Sequence, residues 1–264
     1  MYLPDGANGT EITYLDGTAE QIDKRLCWVL DDLLFHLRSS TEVLRRQSRM
    51  VLGKSARRVP LVLKQEFSLV PVKGREKIGE YDMVLLQFEI PMEINKLVAG
   101  YAAARGVPVM LNCAPIAPIP PELIKNVAYI SPNEHEAQIL TGIEVKDDAS
   151  IEAALQAIRE MGIPNALITL GSRGVAFDNG SGVEYSPALQ NLDLKDTTAA
   201  GDSFVGAFST ATAMGISLAE ALRFANYTAA ITVCRMGAQP SLPTLDEVLN
   251  LMREHGVDTS VFEN

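Results

Sequence analysis

A run of small and turn-forming residues directly before an apolar helical stretch is the feature of this sequence that most directly suggests chemistry. It reads Lys195-Asp196-Thr197-Thr198-Ala199-Ala200-Gly201-Asp202-Ser203-Phe204. The first N–H groups of a helix have no helical acceptor, and the helix dipole favours an anion in front of them. Because Ala199, Ala200 and Gly201 lack bulky side chains, a phosphate can approach the backbone closely at this point.

Asp202 does not fit a site that binds only an anion, because its carboxylate would repel the anion. A carboxylate in this place is useful when it takes the proton from an incoming hydroxyl group. An anion cradle with one carboxylate is what phosphoryl transfer to an alcohol requires. The same residues also fit an ordinary helix start in which Asp202 complements the dipole. The run by itself leaves both interpretations open.

The elements around this run alternate between short apolar stretches and amphipathic ones from Tyr81 onward. We predict strands at 83–88, 107–111, 127–130 and 166–170, a hairpin at 174–185, and helices at 92–105, 134–140, 151–161, 200–214, 218–235 and 245–255. Alternation of buried strands with helices is typical of a parallel sheet covered on both faces. The pattern therefore predicts an α/β fold for this part of the chain.

Composition excludes several classes of protein. Of the 264 residues, 47% are hydrophobic and 21% are charged, which excludes wholesale disorder. No apolar run approaches the roughly 20 residues of a membrane-spanning helix, and the N-terminus does not resemble a secretory signal. Three widely spaced cysteines predict reduced thiols. We expect a cytoplasmic protein, and the net charge of −10 argues against a duplex-binding surface.

Charge is unevenly placed along the chain. Residues 37–79 hold 11 Lys and Arg against three acidic residues, whereas residues 80–264 hold 10 against 23. We therefore predict an atypical segment at 1–79 and a domain at 80–264, with a candidate helix at 22–37. The basic residues at 45–49 and 57–58 fit a solvated face better than a nucleic-acid patch, although a regulator that uses segment 37–79 is left open.

Six ordered motifs between residues 81 and 255 resemble those of the ribokinase-like (PfkB) carbohydrate kinases. Besides the 195–204 run, they are Leu85-Leu86-Gln87-Phe88-Glu89-Ile90-Pro91, Leu111-Asn112-Cys113-Ala114-Pro115, Pro132-Asn133-Glu134-His135-Glu136-Ala137, Thr169-Leu170-Gly171-Ser172-Arg173-Gly174 and Gly237-Ala238-Gln239-Pro240-Ser241. The resemblance implies a three-layer fold with a mainly parallel central sheet. Asn133 and Glu136 also fit a helix-capping box, so that alternative stays open.

The resemblance further implies ATP-dependent phosphorylation of a sugar hydroxyl, with conversion of D-ribose to D-ribose 5-phosphate favoured. Asp202 would be the catalytic base, and Glu89 and Asp202 would bind the sugar. The backbone N–H groups of Ala199, Ala200 and Gly201 would form the anion hole. ATP would contact Asn133, Thr169, Leu170, Gly171, Ser172, Arg173, Gly174, Gly201, Asp202 and Asn226, the last of these beside adenine.

The same resemblance implies two cations. Magnesium would be held through water by Glu136. Potassium would lie in a loop whose ligands are mostly backbone carbonyls, a donor set that suits a hard cation. The residues of that loop are Asp196, Thr198, Thr232, Arg235, Gly237 and Ser241. Whether the chain forms a homodimer is left open.

Residues 1–79 depart from the family's pattern. Its early sugar-binding motifs and its lid over the sugar are not recognisable there. We therefore expect a truncated or rearranged family member, incomplete in its N-terminal part. This leaves open a nucleotide-binding protein with little or no kinase activity.

Overall fold

The computed structural model of this protein describes residues 75–262 and three short strands before them. These strands are β1 (Thr10–Thr13), β2 (Ala19–Ile22) and β3 (Leu61–Val62). Residues 1–40 and 41–264 are two separate compact units. Within the first unit, β1 and β2 pair antiparallel, with Thr10 opposite Ile22.

Most of the predicted N-terminal segment lies outside the described residues. The candidate helix at 22–37 is among them, except for Ile22, which ends β2. The basic residues at 45–49 and 57–58 also lie outside the described part. The domain boundary near residue 80 stays a prediction.

The second unit contains one sheet with the strand order β3-β4-β5-β6-β7-β8-β9. Its further strands are β4 (Val84–Gln87), β5 (Val109–Asn112), β6 (Tyr129–Ser131), β7 (Asn165–Thr169), β8 (Val175–Asp178) and β9 (Val183–Ser186). Neighbours from β3 to β7 are parallel, and β8 and β9 add an antiparallel hairpin. The sequence did not predict β3, which pairs with the first half of β4.

The helices of the described part are α1 (Met92–Ala103), α2 (Pro121–Ile124), α3 (Glu134–Thr141), α4 (Asp148–Glu160), α5 (Ala200–Ala213), α6 (Leu218–Val233) and α7 (Leu245–Glu254). Every helix and strand predicted after residue 80 is present, with its ends shifted by up to three residues. The four-residue α2 was not predicted, because one turn is too short to show a helical period. None of the helices in the described part is long and apolar enough to cross a membrane.

Two apolar clusters cover the two faces of the sheet. Strand side chains alternate between faces, so Leu85 packs on one side with α5, α6 and α7, and Leu86 packs on the other with α1 to α4. Phe208 of α5 is fully buried, and its ring lies 5.9 Å from the ring of Tyr129 on β6, centroid to centroid. The described chain therefore has the predicted three layers, and α5 is fixed against the sheet.

Gly174 lets the chain turn tightly between β7 and β8. Its backbone has φ 98° and ψ −125°, a conformation that residues with a side chain rarely adopt. A Cβ atom here would collide with the carbonyl oxygen of Ser186 and the nitrogen of Ala188. The turn therefore depends both on the freedom of glycine and on the missing side chain.

Gly174→Ala should destabilise the protein more than Gly215→Ala does. Gly215 also has a positive φ, of 77°, but a Cβ atom there meets no atom of the described residues within 4 Å. Positive φ costs alanine about 1–2 kcal/mol at Gly215, and the backbone conformation of Gly174, which glycine alone adopts readily, costs at least as much. Overpacking adds roughly 1–3 kcal/mol at Gly174 alone. Urea unfolding of the two variants measures the difference, and equal losses would contradict it.

Candidate active site

Four neighbouring parallel strands end in polar side chains on the face of the sheet that α5 covers. Each polar residue lies two positions after an apolar residue of that face, so both point the same way. The apolar residues are Leu85, Met110, Tyr129 and Leu167, and the polar ones that follow them are Gln87, Asn112, Ser131 and Thr169. Ligands of open α/β sheets bind at this carboxyl edge.

The start of α5 faces this polar row. Its first flanking residue, Ala199, adopts a left-handed conformation with φ 64°, and no side chain of the described residues caps the helix there. The N–H of Ala200 donates to the carbonyl of Thr197 at 3.2 Å, so this member of the predicted anion hole is held within the loop. Ala199, Gly201 and Asp202 all line a cavity in front of the helix.

That cavity, of about 160 Å³, brings together residues that lie far apart in the sequence. Predicted site residues among its lining are Asn133, Glu136, Thr169, Ala199, Gly201 and Asp202. The remaining lining residues are Asn112, Ala114, Ser131 and Val205. The candidate base, the helix start and the edge of the sheet thus share one space.

A hydrogen bond holds Asp202 in position. The Nδ2 atom of Asn112, a residue 8% exposed, donates to Oδ1 of Asp202 at 3.3 Å. Oδ1 of Asn112 accepts from the N–H of Ala114 at 3.4 Å, which turns the amide nitrogen toward Asp202. Sequence reasoning missed this role of Asn112, although the residue stands inside a motif that follows a predicted strand.

Asn133 and Glu136 form a capping box as well as lining the cavity. Oδ1 of Asn133 accepts from the N–H of Glu136 at 2.9 Å, and the N–H of Asn133 donates to Oε2 of Glu136 at 2.8 Å. Burial raises the pKa of the Glu136 carboxyl, and the hydrogen bond from Asn133 opposes that rise. The two interpretations of this motif are therefore compatible.

The fit to magnesium rests on few protein ligands. Across residues 75–262, no group of three or more His, Cys, Asp or Glu side chains is placed to hold a metal ion. Magnesium usually keeps several waters and takes one or two carboxylates together with substrate phosphates. Glu136 and Asp202 on one cavity suit that mode of binding.

The segment 169–174, which contains the turn at Gly171–Arg173, is tied to its surroundings by three contacts. The N–H of Thr169 donates to the carbonyl of Pro132 at 3.0 Å. The guanidinium of Arg173 lies 3.2 Å from Oε1 of Glu134 on α3. Gln190 donates to the carbonyl of Ser172 at 3.0 Å. Leu170, a predicted ATP contact, has a buried side chain, and its N–H donates to the carbonyl of Gly174 while its carbonyl accepts from the N–H of Arg173, so it holds the turn together.

Asn226, predicted beside adenine, supports the chain that leaves β9. Its Nδ2 atom donates to the carbonyl and hydroxyl oxygens of Ser186, each at 2.9 Å, and to the carbonyl of Pro187 at 3.2 Å. Asn226 is 6% exposed. Its side chain therefore positions this chain segment.

Glu89 lies two residues after the end of β4 and is not one of the residues that line the cavity. Its Oε2 atom accepts from Nε2 of Gln87 at 2.9 Å, and the side chain is half-buried. Since Gln87 is one member of the polar row, the predicted sugar ligand is joined to the same edge of the sheet.

The predicted potassium loop is closed by Asp196. One carboxylate oxygen accepts from the N–H of Thr198 at 2.9 Å and the other from the N–H of Gly237 at 2.8 Å. Hydrogen bonds from Thr198 and Gly237 hold the pKa of this carboxyl below its usual value. Two segments of chain 41 residues apart are thereby joined.

Other side chains of that loop are engaged elsewhere. Thr232 donates to the carbonyl of Thr228 at 3.0 Å, and Ser241 donates to the carbonyl of Ala238 at 2.6 Å. The guanidinium of Arg235 pairs with Glu247 at 2.6 Å. Backbone carbonyl oxygens are the donors that suit the expected cation there.

Known proteins resemble this chain over the region that holds the site. Ribokinase of Haemophilus influenzae is 40% identical over 187 residues, which are 71% of this chain and 60% of that protein. Ribokinase of Bacillus subtilis is 40% identical over 177 residues, covering 67% of this chain and 57% of that protein. The chain thus spans less than two thirds of the length of these relatives.

A solved structure of Arabidopsis thaliana ribokinase, complexed with ribose and ATP, superposes with a TM-score of 0.66 at 37% identity. It matches 68% of this chain and 58% of its own. Residues 62–245, more than half of the sequence, match the family model described as pfkB family carbohydrate kinase. The chain therefore belongs to the pfkB family of carbohydrate kinases.

Proposed function

We propose that this protein transfers a phosphoryl group from ATP to a sugar hydroxyl, with D-ribose as the favoured sugar and D-ribose 5-phosphate as the product. The observation that carries this proposal is the carboxylate of Asp202, held by Asn112 on the same cavity as the uncapped start of α5. The ribose and ATP bound by the Arabidopsis relative support the choice of both substrates.

The reaction needs one proton acceptor and a field that stabilises phosphoryl charge. Asp202 accepts the proton of the sugar hydroxyl while that oxygen bonds to the γ-phosphorus of ATP and the bond to ADP breaks. Charge on the transferring oxygens would be stabilised by N–H groups at the start of α5 other than that of Ala200, which donates to Thr197. Magnesium, when bound, would neutralise phosphate charge, and Glu136 would orient it through water.

The nucleotide would lie along the edge that joins Asn133 to the Gly171–Arg173 turn. Exposed backbone at Gly171 and Ser172 suits contact with phosphate and ribose oxygens. Asn226 would act on the adenine side through the Ser186–Pro187 segment that it holds. Potassium in the Asp196 loop would stiffen the chain that leads into Ala199.

A second candidate is a protein that binds ATP but turns over little. It is favoured by the fact that the chain covers 60% or less of the relatives' length, while the family's early sugar motifs are not recognisable in residues 1–79. The regulator hypothesis for segment 37–79, the homodimer and the cytoplasmic location stay predictions.

Asp202→Asn should reduce ribose-dependent ADP release by about 10² or more, because a general base acts on proton transfer. ATP affinity should stay within a few fold. A coupled assay with ribose and titration with ATP measure the two effects. Asp193→Asn is the matched control, since Asp193 is an exposed acid nearby whose oxygen lies 3.6 Å from Lys195.

Near-normal turnover of Asp202→Asn would remove Asp202 from the mechanism. ATP binding without ribose-dependent turnover in the unaltered protein would favour the second candidate. A panel of sugars and nucleosides in the same assay identifies the preferred acceptor.

Kinase activity should be higher in potassium than in sodium. Asp196 and Gly237 close a loop that leads directly into Ala199, so an ion held there would fix the start of α5. Initial rates in matched KCl and NaCl solutions measure this effect, with lithium chloride as an ionic-strength control. Equal rates in all three salts would contradict the potassium assignment.

A further inference from the structure

Ser131 carries a buried hydroxyl that the fold leaves without a partner. It ends β6, is 4% exposed and lines the cavity in front of α5. Its Oγ atom has no hydrogen-bond partner within the described part of the chain. Buried polar atoms of folded proteins are nearly always paired, so an unpaired one needs an explanation, and on a cavity wall a bound ligand can provide it.

Two other residues of the polar row each donate a hydrogen bond to a predicted site residue. Gln87 donates to the candidate sugar ligand Glu89, and Asn112 donates to the candidate base Asp202. Ser131 lies directly opposite Asn112 in the register of β5 and β6. Two residues after Ser131, Asn133 bridges to Thr169 at the end of β7, two residues before the Gly171–Arg173 turn. Ser131 thus lies between the acceptor side and the nucleotide side.

The charges around the cavity define which ligand fits the hydroxyl. The start of α5 favours an anion. Asp202 and Glu136 line the same cavity and would repel a bare anion. A phosphate that carries its own divalent cation fits both the start of α5 and the two carboxylates. Its oxygens accept hydrogen bonds from a serine hydroxyl.

We propose that the hydroxyl of Ser131 donates a hydrogen bond to a phosphate oxygen of the bound nucleotide. This inference rests on the proposed function, because it takes ATP with magnesium as the ligand. It makes Ser131 a nucleotide-binding residue that stands opposite Asn112 on the neighbouring strand.

The structure offers a matched control in Ser209. Its hydroxyl is also buried and without a partner among the described residues, but it lies on α5 outside the cavity lining. Replacing either serine by alanine removes an unpaired hydroxyl, which leaves the folded protein no less stable. Thermal melting should therefore give a similar midpoint for Ser131→Ala, Ser209→Ala and the unaltered protein.

Calorimetric titration with ATP and magnesium tests the contact. Ser131→Ala should lower the affinity about tenfold, the loss expected for a hydrogen bond to a charged acceptor. Ser209→Ala should stay within about twofold of the unaltered protein. Ser131→Thr, which keeps the hydroxyl, should restore most of the affinity. If Ser131→Ala melts early, Ser131→Cys, with its weak donor, replaces it in the comparison.

Unchanged affinity in Ser131→Ala, an equal loss in Ser209→Ala, or no recovery in Ser131→Thr would each overturn the proposal. Ribose-dependent ADP release is measured on the same samples. A protein that binds ATP through Ser131 without turning over ribose overturns the proposed function and leaves this contact standing. A protein that binds no nucleotide overturns both.

Discussion

The packing of α5 against one face of the sheet is the interaction on which the site depends. Phe208 is buried against Tyr129 of β6, and further buried residues of α5, from Phe204 to Ala211, pack into the same cluster. The start of α5 is thereby held beside the carboxyl ends of β5, β6 and β7. A helix start is useful for phosphate chemistry only when it is held in one place, because preorganised dipoles need no rearrangement during the reaction.

Several residues of the site also maintain the fold around it. Asn133 and Glu136 cap α3 while they line the cavity, and Asp196 joins two distant segments while it leads into Ala199. Each of these side chains is therefore oriented by backbone N–H groups before any ligand arrives. Pre-oriented groups lose less conformational entropy when a ligand binds.

The proposed function would divide the site into two sides. The nucleotide would bind to residues of β6, β7 and α5, which line the cavity. The acceptor would meet Glu89 and Asp202, whose carboxylates accept hydrogen bonds from two amides of the polar row. The early sugar-binding motifs of the family are not recognisable in residues 1–79, so the preference for one sugar stays part of the proposal.

The sequence by itself determined the alternation of strands and helices after residue 80, because strands buried on both faces stand out as short apolar runs and the covering helices as amphipathic stretches. It also determined the candidate base Asp202 and the motifs around it, since those residue types stand together in the chain. The two-residue β3 and the single turn α2 escaped prediction because neither is long enough to show a period.

Only the tertiary structure decided which polar residues meet. Asn112 and Asp202 are 90 positions apart, and nothing local to either predicts their hydrogen bond. The unpaired hydroxyl of Ser131 is visible only when its burial and its surroundings are known. The physical reason is that a parallel sheet brings the ends of distant strands to one edge, so its site is built from residues whose spacing along the chain carries no signal.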